Sequence, residues 1–200
     1  MSVLLHLVKW RLGLAPAEVW TTLAERDCLE RHAAGKRRLA EIGVWHGGTS
    51  CRLRAAMAPD ATLYAVDPYE NGRLGFSIPR LVGMSEVGRI RNGRVVWVRK
   101  TGTEAGRTPE IRRAPFDFVF IDDAQSDEML RAEWETWSPL VQPGGIIALH
   151  DTQTMPGEGE QSSVRFAREV VFADDRFDVL ETVDSMTVLR RRGAAAQGAP

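Results

Sequence analysis

Hydrophobic positions along this chain follow two rhythms. Short, nearly continuous apolar runs occur at 39–43, at Thr62–Val66, at 95–98, at Phe116–Ile121 and at 146–149. Runs this short, bounded by glycine, proline or aspartate, fit strands buried on both faces. Between them the apolar spacing lengthens to three and four, the spacing of a helix with one buried face. The pattern predicts helices over 16–32, with Pro16 early in the helix and Gly35 as its stop, and over 49–57, ended by Pro59. Residues 68–83 read as a glycine- and proline-rich loop, followed by a short helix that stops at Asn92-Gly93. A helix near 104–112 follows the third strand. After the fourth, Leu130, Trp134, Trp137 and Val141 fall on one helical face. Pro143-Gly144-Gly145 turns the chain into the fifth strand. A loop at 153–161 precedes a helix that points Phe166, Val170 and Val171 inward. The chain then reads as a hairpin, 177–183 and 186–189 about a turn at Asp184-Ser185. Five strand–helix alternations imply a parallel sheet with right-handed crossovers and helices on both faces, and the hairpin adds antiparallel pairing at the end.

Composition changes this picture little. Two hundred residues suit one α/β domain. Within it, 1–35 is expected to be a helical segment on the substrate side, 36–190 the α/β domain and 191–200 a disordered tail. The net charge of −1 gives no whole-chain attraction to nucleic acid or to an anionic membrane. Arginines at 89, 91, 94, 99 and 190–192 read as a solvated face and a frayed tail. The two cysteines, Cys28 and Cys51, form neither a disulfide framework nor a metal spacing, and fit a reducing cytoplasm. The opening apolar run is broken by His6, Lys9 and Arg11, so it reads as neither signal peptide nor membrane span.

Chemistry gathers at the predicted strand ends, where open α/β sheets bind ligands. The first strand runs into Glu41-Ile42-Gly43-Val44-Trp45-His46-Gly47-Gly48-Thr49-Ser50. Gly43 permits a tight turn beneath a ligand, and Gly47 and Gly48 permit close approach at the next helix. Asp67 ends the second strand, where a carboxylate can accept hydrogen bonds from a ribose. Nicotinamide folds usually show G-x-G-x-x-G. Here the order is E-x-G-x-x-x-G-G, and a Tyr-x-x-x-Lys pair is missing, which disfavours a nicotinamide-dependent oxidoreductase.

That segment resembles motif I of class I methyltransferases, and the likeness runs over roughly residues 36–190. Ala65-Val66-Asp67-Pro68-Tyr69 is similar to their motif II, and the run Phe116–Ile121 with Asp122 to their fourth strand. Leu140-Val141-Gln142-Pro143-Gly144-Gly145-Ile146-Ile147-Ala148-Leu149-His150-Asp151-Thr152 is similar to the specific fifth-strand pattern LLxPGGxxxxHDT. Together they resemble the small O-methyltransferases of the catechol and macrocin type. The resemblance implies a seven-stranded Rossmann-like sheet and S-adenosylmethionine as methyl donor. It places Glu41, Gly43 and Gly47 at the methionine part, Asp67 at the ribose, Pro68 and Tyr69 at the adenine pocket, and Thr101 and Gly102 near the adenine or its ribose. Asp122 belongs to both the donor pocket and the reaction site.

Methyl transfer asks the protein to align an acceptor, exclude water and manage a proton. The resemblance makes Asp122, Asp123 and Asp151 candidate ligands for magnesium, which would acidify an acceptor hydroxyl. Terminal aspartates that cap helices or anchor loops would look the same. Relatives carry a histidine where this chain has Gln125, which cannot act as a base near neutral pH. His150 and His46 remain as nearby candidates, with a buried, hydrogen-bonded histidine as the plain alternative at 150. Trp45 either walls the pocket or packs under the first helix. The function expected is methylation of a hydroxyl on a small molecule such as a sugar or phenol of a specialised metabolite, with the acceptor set by 1–35 and the loops at 68–83 and 153–161. A donor-binding protein without catalysis stays open, as does a homo-oligomer.

Overall fold

The computed structural model describes residues 3–72, 75–123, 126–154 and 162–193. Seven strands form one sheet: β1 (Arg38–Ile42), β2 (Thr62–Val66), β3 (Arg94–Val98), β4 (Phe116–Ile121), β5 (Val141–Leu149), β6 (Phe177–Val183) and β7 (Met186–Arg191), in the order β3-β2-β1-β4-β5-β7-β6. The first five are parallel, and β7 pairs antiparallel with both β5 and β6. Strand order reverses between β1 and β4, so the chain leaves these neighbours in opposite directions and opens a crevice at their carboxyl ends.

The near-continuous apolar runs become strands because helices cover both faces. Leu39, Leu63, Phe118, Phe120 and Ala148 face α2 (Leu23–Ala33) and α3 (Gly48–Ala56), against Cys28, Leu29 and Leu53. The alternate residues Ala40, Ile42, Val119, Ile121 and Ile147 face α5 (Gly102–Gly106), α6 (Pro109–Arg112), α7 (Asp127–Trp137) and α8 (Ser162–Phe166), against Leu130, Trp134 and Phe166. α1 (Val3–Arg11) lies against α4 (Ile78–Gly88), where the Trp10 indole N–H donates to Glu86 Oε1 at 2.7 Å.

Several boundaries differ from the sequence expectation. The helix expected from Pro16 starts at Leu23, because Thr22 and Glu25 form a reciprocal cap that fixes the entry there. The broken apolar run before it forms α1. α4 begins inside the expected 68–83 loop, where the Ser77 hydroxyl accepts from Arg80 N–H and Pro79 sits in the first turn. Pro109 splits the 104–112 helix in two. α7 stops at Trp137, and Val141 belongs to β5. Pro143-Gly144-Gly145 therefore lies within that strand, at a register shift opposite β4, with Gly144 at φ +77°. After α8 the backbone widens to a π turn over Ala167–Val171, leaving Phe166 and Val171 buried and Val170 half-buried. β7 runs through Arg191, where the tail was expected to begin. Gln125, most of the 153–161 loop and residues 194–200 lie outside the described residues. No helix among the described residues is long and apolar enough to cross a membrane.

Candidate functional site

A cavity of about 560 Å³ opens over the carboxyl ends of β1, β2, β4 and β5, with Glu18, Val19 and Trp20 from the segment before α2 on its wall. Of the expected donor residues, Glu41, Gly43, Asp67 and Asp122 line it, together with Asp123, His150 and Asp151. Gly43 (φ +85°) lies flat against the end of β4: a Cβ there would come within 2.7 Å of the Asp122 carbonyl carbon. Gly47 serves packing instead, since a Cβ would meet Val87 and the Gly83 backbone of α4.

Asp67 knits the rim together. One oxygen accepts the backbone N–H groups of Val44 and Trp45, both at 3.0 Å, and the other accepts Tyr69 N–H at 2.7 Å. Carboxylate oxygens carry about four lone-pair sites, so acceptor capacity remains. Pro68 passes its carbonyl to Arg99. Tyr69 is buried, with its hydroxyl donating to the Trp45 carbonyl and its ring against Trp97, so it supports the loop from behind. Thr101 caps α5 and is exposed. Gly102 is buried and leaves room for Glu133 and Ile42. Pro68, Tyr69, Thr101, Gly102 and Gly47 do not border the cavity. Trp45, Tyr69 and Asp151 all adopt positive φ (51°, 44° and 53°) at the ends of β1, β2 and β5. Such conformations in residues other than glycine cost on the order of 1–3 kcal/mol each and cluster at working sites.

Six acidic residues, Glu18, Glu41, Asp67, Asp122, Asp123 and Asp151, face this space, against one histidine. Burial pushes the Glu41 carboxyl upward, and the Ser50 hydroxyl donates to it. Burial, then the charges of Asp67 and Asp122, push Asp123 up to about 6. His150 sits among carboxylates: Nδ1 is 2.9 Å from Asp122 Oδ1 and 3.3 Å from Asp151 Oδ1, and Nε2 is 3.3 Å from Glu25 Oε2. Burial alone would lower its pKa, but hydrogen bonds to Asp122, Asp151 and Glu25 outweigh it and push the ring up to about 12. His150 is therefore an imidazolium at neutral pH, with no free nitrogen to take a proton. Burial raises Asp122 against the pull of that cation, while the His150 hydrogen bond lowers Asp151. His46 borders no part of the cavity. Its Nδ1 accepts Glu18 N–H at 3.0 Å, its ring stacks between His6 and Trp45, and burial lowers its pKa, so it is a neutral prop for the 18–20 segment.

Two acidic groups were missed from the sequence. Glu25 is fully buried: Oε1 accepts Ser185 N–H and Oγ–H at 3.0 and 2.8 Å, and Oε2 accepts Thr22 N–H. The Thr22-x-x-Glu25 spacing signals a cap, but nothing local shows its reach to His150. Glu133 lies on the apolar face of α7 with one oxygen unpartnered, and burial pushes it up to about 8. A glutamate one turn from Leu130 and Trp137 was the available signal.

Asp122, Asp123 and Asp151 do not bring three ligand atoms within 4.8 Å of one another. Among the described residues, the only three His, Cys, Asp or Glu groups with ligand atoms all within 4.8 Å of one another are Cys28, His32 and Glu181, away from the cavity, between α2 and β6. The space between Asp122 and Asp151 is taken by the His150 ring.

Comparison with known proteins agrees with the fold. A family described as "Methyltransferase domain" matches residues 40–152. The chain is 28% identical over 173 residues to caffeoyl-CoA O-methyltransferase 2 of Zea mays, covering 78% of this chain and 63% of that protein. It spans less than two thirds of the length of the first curated relatives it matches: 14%, 63% and 65%. A Bacillus cereus O-methyltransferase solved with SAH superposes with a TM-score of 0.62 at 19% identity, covering 96% of this chain and 91% of that one. TomG, an O-methyltransferase of tomaymycin synthesis from Streptomyces achromogenes solved with SAM, gives 0.62 at 21% identity and the same coverage. With the sheet order, the crevice at its switch point and more than half of the chain matched, this protein belongs to the methyltransferase-domain family.

Proposed function

We propose that the chain transfers a methyl group from S-adenosylmethionine to a hydroxyl of a small molecule, the donor and acceptor meeting in the cavity between Gly43 and His150. The observation that carries this reading is the ring of carboxylates at the β1/β4 crevice, an environment complementary to a cation with a ribose attached. S-adenosylmethionine supplies, when bound, an electrophilic methyl on a sulfonium. The chain's own residues do the rest. Gly43 gives a ligand access to the strand ends, Glu41 supports the floor through its bond from Ser50, and Asp67 presents oxygens to the ribose diol while holding the Val44–Trp45 turn. Asp123 adds negative charge beside Asp67.

On the acceptor side, Trp20 and Trp45 offer apolar wall, and Asp122 is placed to take the hydroxyl proton. Its burial makes it a stronger base than an ordinary carboxylate. His150 is a positioning residue: its charge offsets the repulsion between Asp122 and Asp151, and its rigid ring fixes where Asp122 points. Asp122 is the base in this reading, and no step passes through magnesium at Asp122, Asp123 and Asp151.

Calorimetry with S-adenosylmethionine and NAD, followed by turnover with a panel of phenols and sugars, tests the reading. Micromolar donor binding, far weaker NAD binding and product from at least one hydroxyl acceptor are expected. Preference for NAD would overturn the donor assignment. Donor binding with no turnover across the panel would favour a donor-binding protein without catalysis.

A further inference from the structure

Away from the cavity, α2 and β6 bring together a sulfur, a ring nitrogen and a carboxylate. Cys28 and His32 are one helical turn apart, so both side chains project from the same face of α2. That face meets Glu181 on the edge strand β6. The Cys28 Sγ, a His32 ring nitrogen and a Glu181 oxygen all lie within 4.8 Å of one another. Ligands held about 2.0–2.3 Å from a shared zinc ion must lie within roughly twice that distance of each other. His32 Nε2 already sits 2.6 Å from Glu181 Oε1, bridged by a proton where an ion would bridge them.

We propose that Cys28, His32 and Glu181 form a zinc site that clamps α2 to β6. The donor set is one thiolate, one imidazole and one carboxylate, a combination that selects zinc or cobalt over magnesium or calcium. Thiolate and carboxylate together carry the two negative charges that a divalent ion needs. Arg31 Nη2 holds Glu181 Oε2 at 3.0 Å, which turns Oε1 toward His32, the outer-shell arrangement that orients ligating carboxylates. Cys28 is fully buried, whereas the His32 and Glu181 side chains are 20% and 34% exposed. The ion therefore enters from solvent on one side and keeps water as its fourth ligand. Binding releases the Cys28 thiol proton and replaces the hydrogen bond between His32 and Glu181. Burial and the Glu181 charge push that thiol up to about 11, so affinity rises with pH. Without metal, the His32–Glu181 and Arg31–Glu181 bonds hold the same surfaces together. The ion is thus a stabiliser of the helix that carries Glu25. It takes no part in methyl transfer, and the inference does not depend on the proposed reaction.

The test uses the full chain stripped with chelator and titrated with cobalt(II) and zinc(II) at pH 8. Expected are one cobalt ion per chain with a thiolate-to-cobalt charge-transfer band, its displacement by one equivalent of zinc, and a zinc-dependent rise in Tm of about 5–10 °C at saturating metal. Cys28→Ser should abolish the band, and His32→Ala should weaken zinc binding at least tenfold. Arg31→Ala should weaken it by roughly tenfold. Asp122→Asn should change none of these readings. Circular dichroism of the metal-free variants checks that each is folded, and His32→Ala keeps the test decisive if Cys28→Ser is not. Absence of the charge-transfer band in the wild-type chain, or zinc affinity unchanged in a folded Cys28→Ser or His32→Ala variant, would overturn the proposal.

Discussion

Replacing Gly43 by alanine should damage the protein twice over, and a second glycine separates the two effects. At φ +85° a Cβ meets the local backbone strain of the left-handed region, about 1–2 kcal/mol. It also falls 2.7 Å from the Asp122 carbonyl carbon and closer still to the oxygen, backbone atoms directly after β4 that cannot swing aside as a side chain would. Overpacking of this kind costs about 1–3 kcal/mol more. Gly144 has nearly the same φ, +77°, with nothing within 4 Å of a built Cβ. Gly144→Ala should therefore lose only the first part. For a chain of this length, each kcal/mol lowers Tm by about 2–4 °C. Thermal denaturation should then place Gly43→Ala roughly 2–12 °C below Gly144→Ala. The same shift moves Asp122 away from Gly43, so donor affinity by calorimetry should fall at least tenfold in Gly43→Ala and stay unchanged in Gly144→Ala. Equal Tm losses with equal donor affinities would refute the claim that β1 and β4 touch at this glycine.

Three further outcomes follow from the site. Asp67→Ala should weaken donor binding by about 1.5–3 kcal/mol, the scale of hydrogen bonds to a charged group; an unchanged dissociation constant would remove Asp67 from the pocket. Glu25 is raised by burial but brought down to about 2 by its bonds to His150, Thr22 and Ser185, below its ordinary 4.5. Its stabilisation, on the order of 3 kcal/mol, is present above pH 4.5 and is lost as pH falls toward 2. Glu25→Gln should flatten the stability–pH curve in that window, and a curve as steep as the wild type's would show that Glu25 is unpaired. Turnover of an accepted substrate should survive chelator and gain nothing from restored magnesium, while Asp122→Asn should lose activity and keep donor binding. Chelator-sensitive turnover rescued by magnesium would reinstate a metal at Asp122 and Asp151.

The central strands were legible because their cause is local. Thr62–Val66 and Phe116–Ile121 are nearly continuous apolar runs with turn residues at both ends, and their observed bounds match the sequence reading. Asp67, Asp122 and Asp151 could be placed at the rim because each directly follows or nearly follows such a run. What the sequence hid was set by partners far along the chain. α2 starts at Leu23 because Thr22 and Glu25 cap each other, whereas Pro16 offered an equally valid local start. Val141 continues the helical spacing of Leu130 and Trp137, and pairing with Phe116 in the sheet overrides that spacing. His150 could not be read as a cation from its neighbours in sequence, since its third carboxylate comes from 125 residues earlier.

That third carboxylate gives the N-terminal segment and the terminal hairpin a shared task. Glu25 reaches His150 from α2, but its other oxygen is held by Ser185, in the turn between β6 and β7. Thr152, just past Asp151, donates its N–H to the Ser185 carbonyl at 2.8 Å and its hydroxyl to Thr187 at 2.9 Å. The antiparallel hairpin thus fixes both the end of β5 and the carboxylate that orients His150. An imidazolium packed this way cannot rotate without breaking bonds to three elements, so the distance between Asp122 and Asp151 is set by the fold. Preorganisation of this kind is what a reaction without covalent catalysis demands, because the barrier is lowered by alignment and by fixed charge. The residues before β1 are accordingly part of the candidate site. Glu18 and Trp20 wall the cavity, and Glu25 holds the histidine on which the geometry of the two aspartates rests.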